Sequence, residues 1–177
     1  MKKIALLILS LILPFLSSSA YAFKSDWDQS HVSYQGPLKI KVYRNPQCNC
    51  CHRWMDHLKK HGFDVTDIAA TNLADINDKV HLPPKMKSSH TAIIDGYIIE
   101  GHVPADDIKR LLIEKPKDVA GLAVPHMPTG VPGAEKGILK QNFIVFQFDK
   151  AGKYSVFNSY QVDKNNHYQA HLPQKEM

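Results

Sequence analysis

Three cysteines within four residues, Cys48, Cys50 and Cys51, are the only cysteines of this chain. Secreted proteins usually place cysteines far apart in the sequence and pair them as disulfides that join distant segments. A bridge between Cys48 and Cys51 would close only a tiny loop, and one between Cys50 and Cys51 would be strained. The fold must therefore rest on a hydrophobic core, and we expect the cysteines to serve chemistry as free thiols.

The N-terminus has the pattern of a secretory signal peptide. Two lysines precede an apolar run, residues 4–16, and Ala20 and Ala22 form an A-x-A-like cleavage site. The run is short for a membrane span and Pro14 interrupts it. The pattern predicts export to the periplasm, cleavage after Ala22 and no membrane attachment thereafter.

The chain that remains after this cleavage would have a mild net charge. The whole sequence carries +5, of which the predicted signal holds two lysines and no acid. Its basic residues are scattered and are not interleaved with aromatic residues, which argues against a nucleic-acid partner. No paired carboxylates, nucleophile elbow or phosphate-binding loop occur in the sequence, so hydrolase and kinase chemistry have no support.

The hydrophobic pattern predicts an α/β domain of alternating strands and helices. Strands are expected at residues 38–43, 63–68, 91–94 and 97–100, and helices at 50–61, from a cap at Thr71 or Asn72 to about 80, and from Pro104 onward. The resulting order, strand–helix–strand–helix–strand–strand–helix, is typical of the thioredoxin-like fold. The cysteines lie where that fold has a redox motif, at the N-terminus of the first helix.

The sequence divides into four segments. We predict the signal peptide at residues 1–22, an irregular arm at 23–37, a thioredoxin-like domain at 38–137 and a C-terminal extension at 138–177. The extension is expected to form a β-hairpin from strands at 143–148 and 153–160, followed from Asp163 by a polar, loose tail.

The position of the cysteines suggests two kinds of chemistry. A helix N-terminus favours thiolate over thiol, and thiolate is both a nucleophile and a soft ligand for Cu(I) or Zn²⁺. Cys48 and Cys51 could carry out thiol–disulfide exchange as a C-x-x-C pair, whereas Cys50 would invite wrong pairings in such an enzyme. A thiophilic metal site gains from Cys50, because one thiolate can bridge two ions. The third strand also follows Ser89-His90 where thioredoxin-like oxidoreductases have a cis-proline, and this supplies an imidazole instead.

Three sequence blocks resemble the CopG family of periplasmic copper-resistance proteins, formerly classed as a domain of unknown function. They read "VYRNPQCNCCHRWMDHLKKHGFDV", "SSHTAIIDGYIIEGHVPADDIKRLL" and "GLAVPHMPTGVPGAE" and lie between Ile40 and Glu135. The resemblance implies a thioredoxin-like fold, a copper site on the C-x-C-C motif, and a role in handling periplasmic copper or changing its oxidation state. It also implies a cysteine-bridged site that holds more than one copper ion. Ser89 stands where the family usually has Cys, and Ala134 where it often has Met.

We take seven residues as candidate copper ligands: Cys48, Cys50, Cys51, His90, His102, His126 and Met127. His90 and His102 match the family motifs. His126 and Met127 lie in a Pro-rich segment that could fold back over the cysteines, and Met127 offers a thioether suited to Cu(I). We expect His52 to point away from the thiols, and His57 and His61 to be solvated residues of a helix face.

The sequence thus predicts a periplasmic copper-binding protein for copper resistance or homeostasis. The mechanistic hypothesis is that the site takes up Cu(I) and Cu(II) and interconverts them. If this interconversion is catalytic, the protein is a copper oxidoreductase. The alternatives are a periplasmic thiol–disulfide oxidoreductase and a copper chaperone that delivers to an efflux system. The expected partners are copper ions and periplasmic copper-efflux or copper-oxidising proteins.

Overall fold

The structure, a computed structural model that describes residues 25–173, is built on one mixed eight-stranded sheet with helices on both faces. Its strands are β1 (Lys39–Arg44), β2 (Asp64–Ala69), β3 (His90–Ile94), β4 (Tyr97–Gly101), β5 (Gly121–Val124), β6 (Phe143–Phe148), β7 (Tyr154–Val162) and β8 (Tyr168–His171). Its α-helices are α1 (Asn49–Lys60), α2 (Leu73–Lys79) and α3 (Ala105–Glu114), and short 3₁₀ turns lie at Asp26–Asp28 and Pro84–Met86. The predicted order of elements through α3 is confirmed.

The strand order in the sheet is β2-β1-β3-β4-β5-β6-β7-β8. β1 pairs with β2 in parallel, and β3 is antiparallel to both β1 and β4. Successive side chains of a strand point to opposite faces, and on β4 Ile99 belongs to the main core whereas Ile98 belongs to a smaller cluster with Phe148. The main core also holds the apolar residues of α1 and α3. The C-terminal ends of β1 and β4 thereby lie close to the start of α1.

Helix α1 forms as the apolar spacing predicts. Cys51, Trp54, Met55 and Leu58 recur at helical intervals and all four are buried. The Cys48 sulfur caps the first turn by accepting a hydrogen bond from the Cys51 N–H, at 3.2 Å. The helix therefore presents its first turn, with the three cysteines, at one end of the sheet.

Two strands were missed from the sequence. β5 lies in a segment that reads as Gly- and Pro-rich coil, yet its four residues are buried and pair in parallel with β4. β8 lies in the tail that we expected to be loose, but it pairs with β7, and its Tyr168 ring packs 5.0 Å from the Trp27 ring. A strand of four residues carries too little periodicity to be recognised alone.

The N-terminal arm is ordered by contacts with residues far along the chain. Trp27 is buried and its indole N–H donates to the Gly130 carbonyl at 2.7 Å. Asp26 forms an ion pair with Lys140 at 2.6 Å, and both side chains are largely shielded from water. The predicted signal peptide lies outside the described residues. Between residues 25 and 173 no helix is long and apolar enough to cross a membrane.

The loop before Glu135 packs tightly on the start of α1. Gly133 has φ +80°, and a Cβ added there would lie 2.5 Å from the Trp54 backbone nitrogen. The Arg53 side chain donates from Nε to the Gly133 carbonyl at 2.8 Å. This contact fixes the segment that carries His126 and Met127 against the helix that carries the cysteines.

We expect Gly133→Ala to lower the free energy of unfolding by about 2 kcal/mol, because the new methyl group adds a steric clash to an unfavourable φ. Gly152→Ala is the matched control, since Gly152 has φ +81° and no atom within 4 Å of its added Cβ. The control should show only the backbone cost, about 1 kcal/mol. Urea denaturation with unchanged m-values measures both, and equal losses would contradict the packing argument.

Candidate metal centre

The three cysteine sulfurs lie together at the N-terminus of α1. Their Sγ atoms are all within 4.8 Å of one another, and the Cys48 and Cys50 sulfurs are 3.3 Å apart. Among the described residues, no other group of three or more Cys, His, Asp or Glu side chains brings its ligand atoms this close. The arrangement is a cluster of soft donors at the positive end of a helix.

The structure joins Cys48 to Cys51 by a disulfide and leaves Cys50 as a free thiol. The expectation of three free thiols is therefore wrong for this state of the protein. The reason is local: the capping turn brings the Cα atoms of Cys48 and Cys51 to 5.4 Å, a separation that a disulfide spans without moving the backbone. All three sulfurs can act as thiolate ligands only after this bridge is reduced.

The Ser89 hydroxyl contacts both bridged sulfurs. Its Oγ is 3.2 Å from the Cys48 sulfur and 3.3 Å from the Cys51 sulfur. The Ser89 carbonyl accepts a hydrogen bond from the Asn45 N–H at 3.0 Å, which holds the loop before β3 against the turn before α1. Position 89 is thus part of the cysteine site.

An open cleft of about 410 Å³ leads to the cysteines. Of the predicted ligands, five line it: Cys48, Cys50, His102, His126 and Met127. Cys51 is fully buried and is bonded to Cys48. His90 does not line the cleft; it lies in the interior, with its ring 5.1 Å from the His102 ring and 4.5 Å from the Trp54 ring. The structure therefore brings five predicted ligands to one cleft and buries the other two, Cys51 and His90, in the interior.

The two buried histidines each have one nitrogen with a fixed proton and one without a partner. His90 Nε2 lies 3.0 Å from the Gly101 carbonyl and His102 Nδ1 lies 2.6 Å from the Pro132 carbonyl. A carbonyl can only accept, so each of these nitrogens carries the hydrogen. The opposite atoms, His90 Nδ1 and His102 Nε2, are buried and have no hydrogen-bond partner within residues 25–173. Both are therefore bare lone pairs, the form in which imidazole binds a metal.

Burial keeps both rings neutral. Removal from water, and then the nearby His102, lower the pKa of His90 to about 3. Burial is also the main cause that lowers the pKa of His102. Since a protonated imidazole cannot coordinate, these environments keep the lone pairs available at neutral pH.

His126 and Met127 form a strained turn at the rim of the cleft. Both have left-handed backbone conformations, with φ +64° and +44°, although neither is glycine. Such residues cost about 1–3 kcal/mol each and persist where the surrounding structure holds them. Both side chains are exposed at the cleft, and 46% of the Met127 surface is accessible. The turn presents an imidazole and a thioether opposite the cysteines.

The histidines on α1 and at its C-terminal cap do not line the cleft. His52 lies 3.9 Å from an Asp67 oxygen, on the outer side of α1 as expected. His57 and His61 are buried, so the prediction that they are solvated is wrong. His57 Nε2 accepts a hydrogen bond from the Ala105 N–H at 3.0 Å, and His61 Nε2 lies 2.6 Å from the Trp27 carbonyl. The His57 ring is thus held by α3 and the His61 ring by the N-terminal arm. Sequence spacing alone did not reveal either contact.

A buried carboxyl group beside the site was also missed. Glu100 is completely buried on β4, next to Gly101, and its Oε1 accepts a hydrogen bond from the Ser88 N–H at 2.5 Å. Burial raises its pKa to about 7. The sequence signal for this group was a single acid within the otherwise apolar strand Tyr-Ile-Ile-Glu-Gly. The neighbouring residues are of types that are usually buried, so an acid among them is a candidate for burial.

Comparison with known proteins places this site in a family. A family described as "Protein of unknown function, DUF411" matches residues 86–134, the stretch that contains His90, His102, His126 and Met127. Two solved structures of copper resistance protein CopG, forms 1 and 2, are each 40% identical to this chain and cover 71% of it. The match spans 98% and 100% of those chains, with TM-scores of 0.66 and 0.67. No curated protein matches the chain.

Proposed function

Because the chain belongs to the family of copper resistance protein CopG, we propose that it is a periplasmic copper-binding protein of copper resistance. Copper is its cargo or substrate. In the reduced protein Cys48, Cys50 and Cys51 bind and bridge more than one ion, and His102, His126 and Met127 complete the coordination. His90, whose ring lies 5.1 Å from the His102 ring, is the remaining candidate ligand.

One observation carries this proposal. Three sulfurs lie within 4.8 Å of one another, and two of them, those of Cys48 and Cys50, line a cleft together with the imidazole of His102 and the thioether of Met127. Thiolate and thioether are soft donors that select Cu(I), and imidazole tolerates both Cu(I) and Cu(II). The sheet order β2-β1-β3-β4, with α1 after β1, supports a thioredoxin-like description of the domain. The N-terminal signal pattern supports the periplasmic location.

The test uses the chain from Phe23 onward, fully reduced and kept free of oxygen. Cu(I) is titrated against a chromophoric cuprous chelator, bound metal is counted by mass spectrometry, and Cu(II) is followed by electron paramagnetic resonance. We expect tight binding of more than one cuprous ion per chain. Tight binding of Zn²⁺ without appreciable copper binding would refute the proposal.

The disulfide favours a second candidate function, thiol–disulfide exchange through Cys48 and Cys51. Cys48 lines the cleft and Cys51 is buried, which gives one accessible and one protected sulfur. A third possibility, delivery of copper to an efflux system, shares the copper site and differs in its partner. Transfer of bound Cu(I) to a purified periplasmic acceptor distinguishes delivery from a redox role.

Position 89 offers a direct test of the copper site. We expect Ser89→Cys to strengthen Cu(I) binding by about tenfold, because it replaces a hydroxyl 3.2–3.3 Å from two sulfurs by a fourth soft donor. Ser155→Cys, which adds an exposed thiol on β7, controls for the gain of a cysteine elsewhere. Cuprous titration under reducing conditions measures both. An equal gain in the two variants would place Ser89 outside the copper site.

A further inference from the structure

We propose that Cys48 and Cys51 supply the electrons with which this chain reduces Cu(II) to Cu(I), while Cys50 and the cleft ligands hold the cuprous product. The inference rests on the proposed function, in which copper is cargo, and it assigns separate roles to the three cysteines. Two form a dithiol–disulfide couple, and the third remains a thiol in both states.

The geometry separates the three sulfurs in this way. The Cys48 and Cys51 Cα atoms lie 5.4 Å apart and the two residues are bonded, so the fold accommodates their disulfide without rearrangement. Cys50 is unbonded and partly exposed, with its sulfur 3.3 Å from that of Cys48. A copper ion held by Cys50 would therefore lie beside the sulfur that donates the electron.

The reaction balances without any further oxidant. Two Cu(II) ions each accept one electron, the S–H bonds of Cys48 and Cys51 break, one S–S bond forms, and two protons pass to water. Cu(II) is thus the oxidant and the dithiol is the reductant. The cleft is open to solvent at Cys48, so both the ions and the protons can be exchanged there.

Disulfide formation leaves a ligand set that still suits Cu(I) but holds it less tightly. Before the reaction three cysteine sulfurs are available as ligands; afterwards Cys50, Met127, His102 and His126 remain at the cleft. These donors include one thiolate and one thioether, which suit Cu(I) better than Cu(II). With two thiolates withdrawn, the cuprous ions are held by fewer sulfurs and can be passed on.

A dithiol reductant must then restore the pair. Exchange has to begin at Cys48, because Cys51 is completely buried and Cys48 lines the cleft. The incoming thiolate forms a mixed disulfide with Cys48, the Cys51 thiolate leaves, and the second thiol of the reductant releases Cys48. The chain therefore needs an acceptor that takes up its Cu(I) and a periplasmic dithiol that supplies its electrons.

The experiment starts from fully reduced protein, freed of reductant without oxygen, to which copper(II) sulfate is added. We expect about two Cu(I) per chain, measured with a cuprous chelator, because one disulfide releases two electrons. Loss of the Cu(II) paramagnetic signal should accompany a Cys48–Cys51 disulfide found by peptide mapping. Asn49→Ser, an exposed change in the same turn that touches no sulfur, should give the same yield.

Cys51→Ser and Cys51→Ala are expected to reduce the yield about fourfold or more, because each removes one of the two sulfurs that form the disulfide. The alanine variant, whose small apolar side chain suits this buried position, guards against misfolding as the cause of the loss. Persistent Cu(II) signal without disulfide in the wild type, or a mapped disulfide that includes Cys50, would overturn the inference. Separate titration with Cu(I) keeps the two proposals apart: tight Cu(I) binding without Cu(II) reduction defeats only this one, and binding of neither ion defeats both.

Discussion

Cys50→Ser is expected to weaken Cu(I) binding by the reduced protein by about 100-fold, or about 2.7 kcal/mol. Cys50 is the free thiol of the cluster, and its sulfur lies within 4.8 Å of both others. A hydroxyl at this position is a hard, weak donor for Cu(I), and it cannot bridge two cuprous ions as a thiolate can. Competition with a chromophoric cuprous chelator in the absence of oxygen measures the loss.

The same variant separates the two leading functions. An exchange enzyme depends on Cys48 and Cys51, which Cys50→Ser leaves in place, so its reduction of a small disulfide substrate should persist. Asn49→Ser is the matched control, because it introduces the same residue into the same helical turn at an exposed position. Undiminished cuprous affinity in Cys50→Ser, together with lost disulfide exchange, would favour the oxidoreductase over the copper-binding protein.

The local pattern of the sequence was sufficient to predict where the cysteines lie. Helical spacing from Cys51 to Leu58 and the two-residue break between the strands predicted at 91–94 and 97–100 are properties of neighbouring residues, and both are confirmed. Asp95 and Gly96 have φ +47° and +83°, the pair of left-handed conformations that a tight hairpin turn requires. Such local signals fix the start of α1 and the connection between β3 and β4, and with them one end of the site.

The remaining features depend on residues that are distant in sequence. The carbonyls of Gly101 and Pro132 accept the N–H of His90 and of His102 and leave the other nitrogen of each ring without a partner within the described residues. No spacing rule connects His102 to a carbonyl 30 positions later. The bridge between Cys48 and Cys51 depends on a Cα separation that only the folded turn defines. The burial of His57 likewise follows from contact with α3. These are tertiary effects, so periodicity and motif spacing could not reveal them.

The second large effect concerns the buried carboxyl group of Glu100. We expect metal-free Glu100→Gln to be more stable than the wild type by about 3 kcal/mol at pH 8. Burial raises the pKa of Glu100 to about 7, from an ordinary value of 4.5. The folded protein therefore binds this proton more tightly than the unfolded chain does, and ionising the carboxyl above pH 7 destabilises the fold.

The hydrogen bonds around Glu100 support a neutral group at this position. The Thr91 hydroxyl lies 2.7 Å from Glu100 Oε2 and 2.6 Å from Asn77 Oδ1, yet it has only one hydrogen to donate. A protonated Glu100 donates to Thr91, which then donates to Asn77, and both contacts are satisfied. The glutamine amide can donate to Thr91 in the same way, while its oxygen accepts from the Ser88 N–H.

The pH dependence gives the sharpest measurement. The advantage of Glu100→Gln should be complete above pH 7, decrease as the pH falls, and nearly vanish below pH 4.5, where the wild-type carboxyl is protonated in both states. The depressed pKa of His90 acts in the opposite sense, since its contribution to stability is present above pH 6.5 and is lost as the pH falls toward 3. That effect is common to both proteins and cancels in their difference.

Urea denaturation of the two proteins from pH 4 to pH 8 tests this difference directly. Glu135→Gln, an exposed acid-to-amide change, controls for the loss of one negative charge and should alter stability by less than about 0.5 kcal/mol throughout. Parallel pH profiles for Glu100→Gln and the wild type would mean that Glu100 remains ionised in the folded protein. The folded protein would then have to stabilise the carboxylate with a cation or a water molecule that reaches it past Ser88, which lines the cleft. The surroundings of Glu100 would in that case be more polar than its hydrogen bonds indicate.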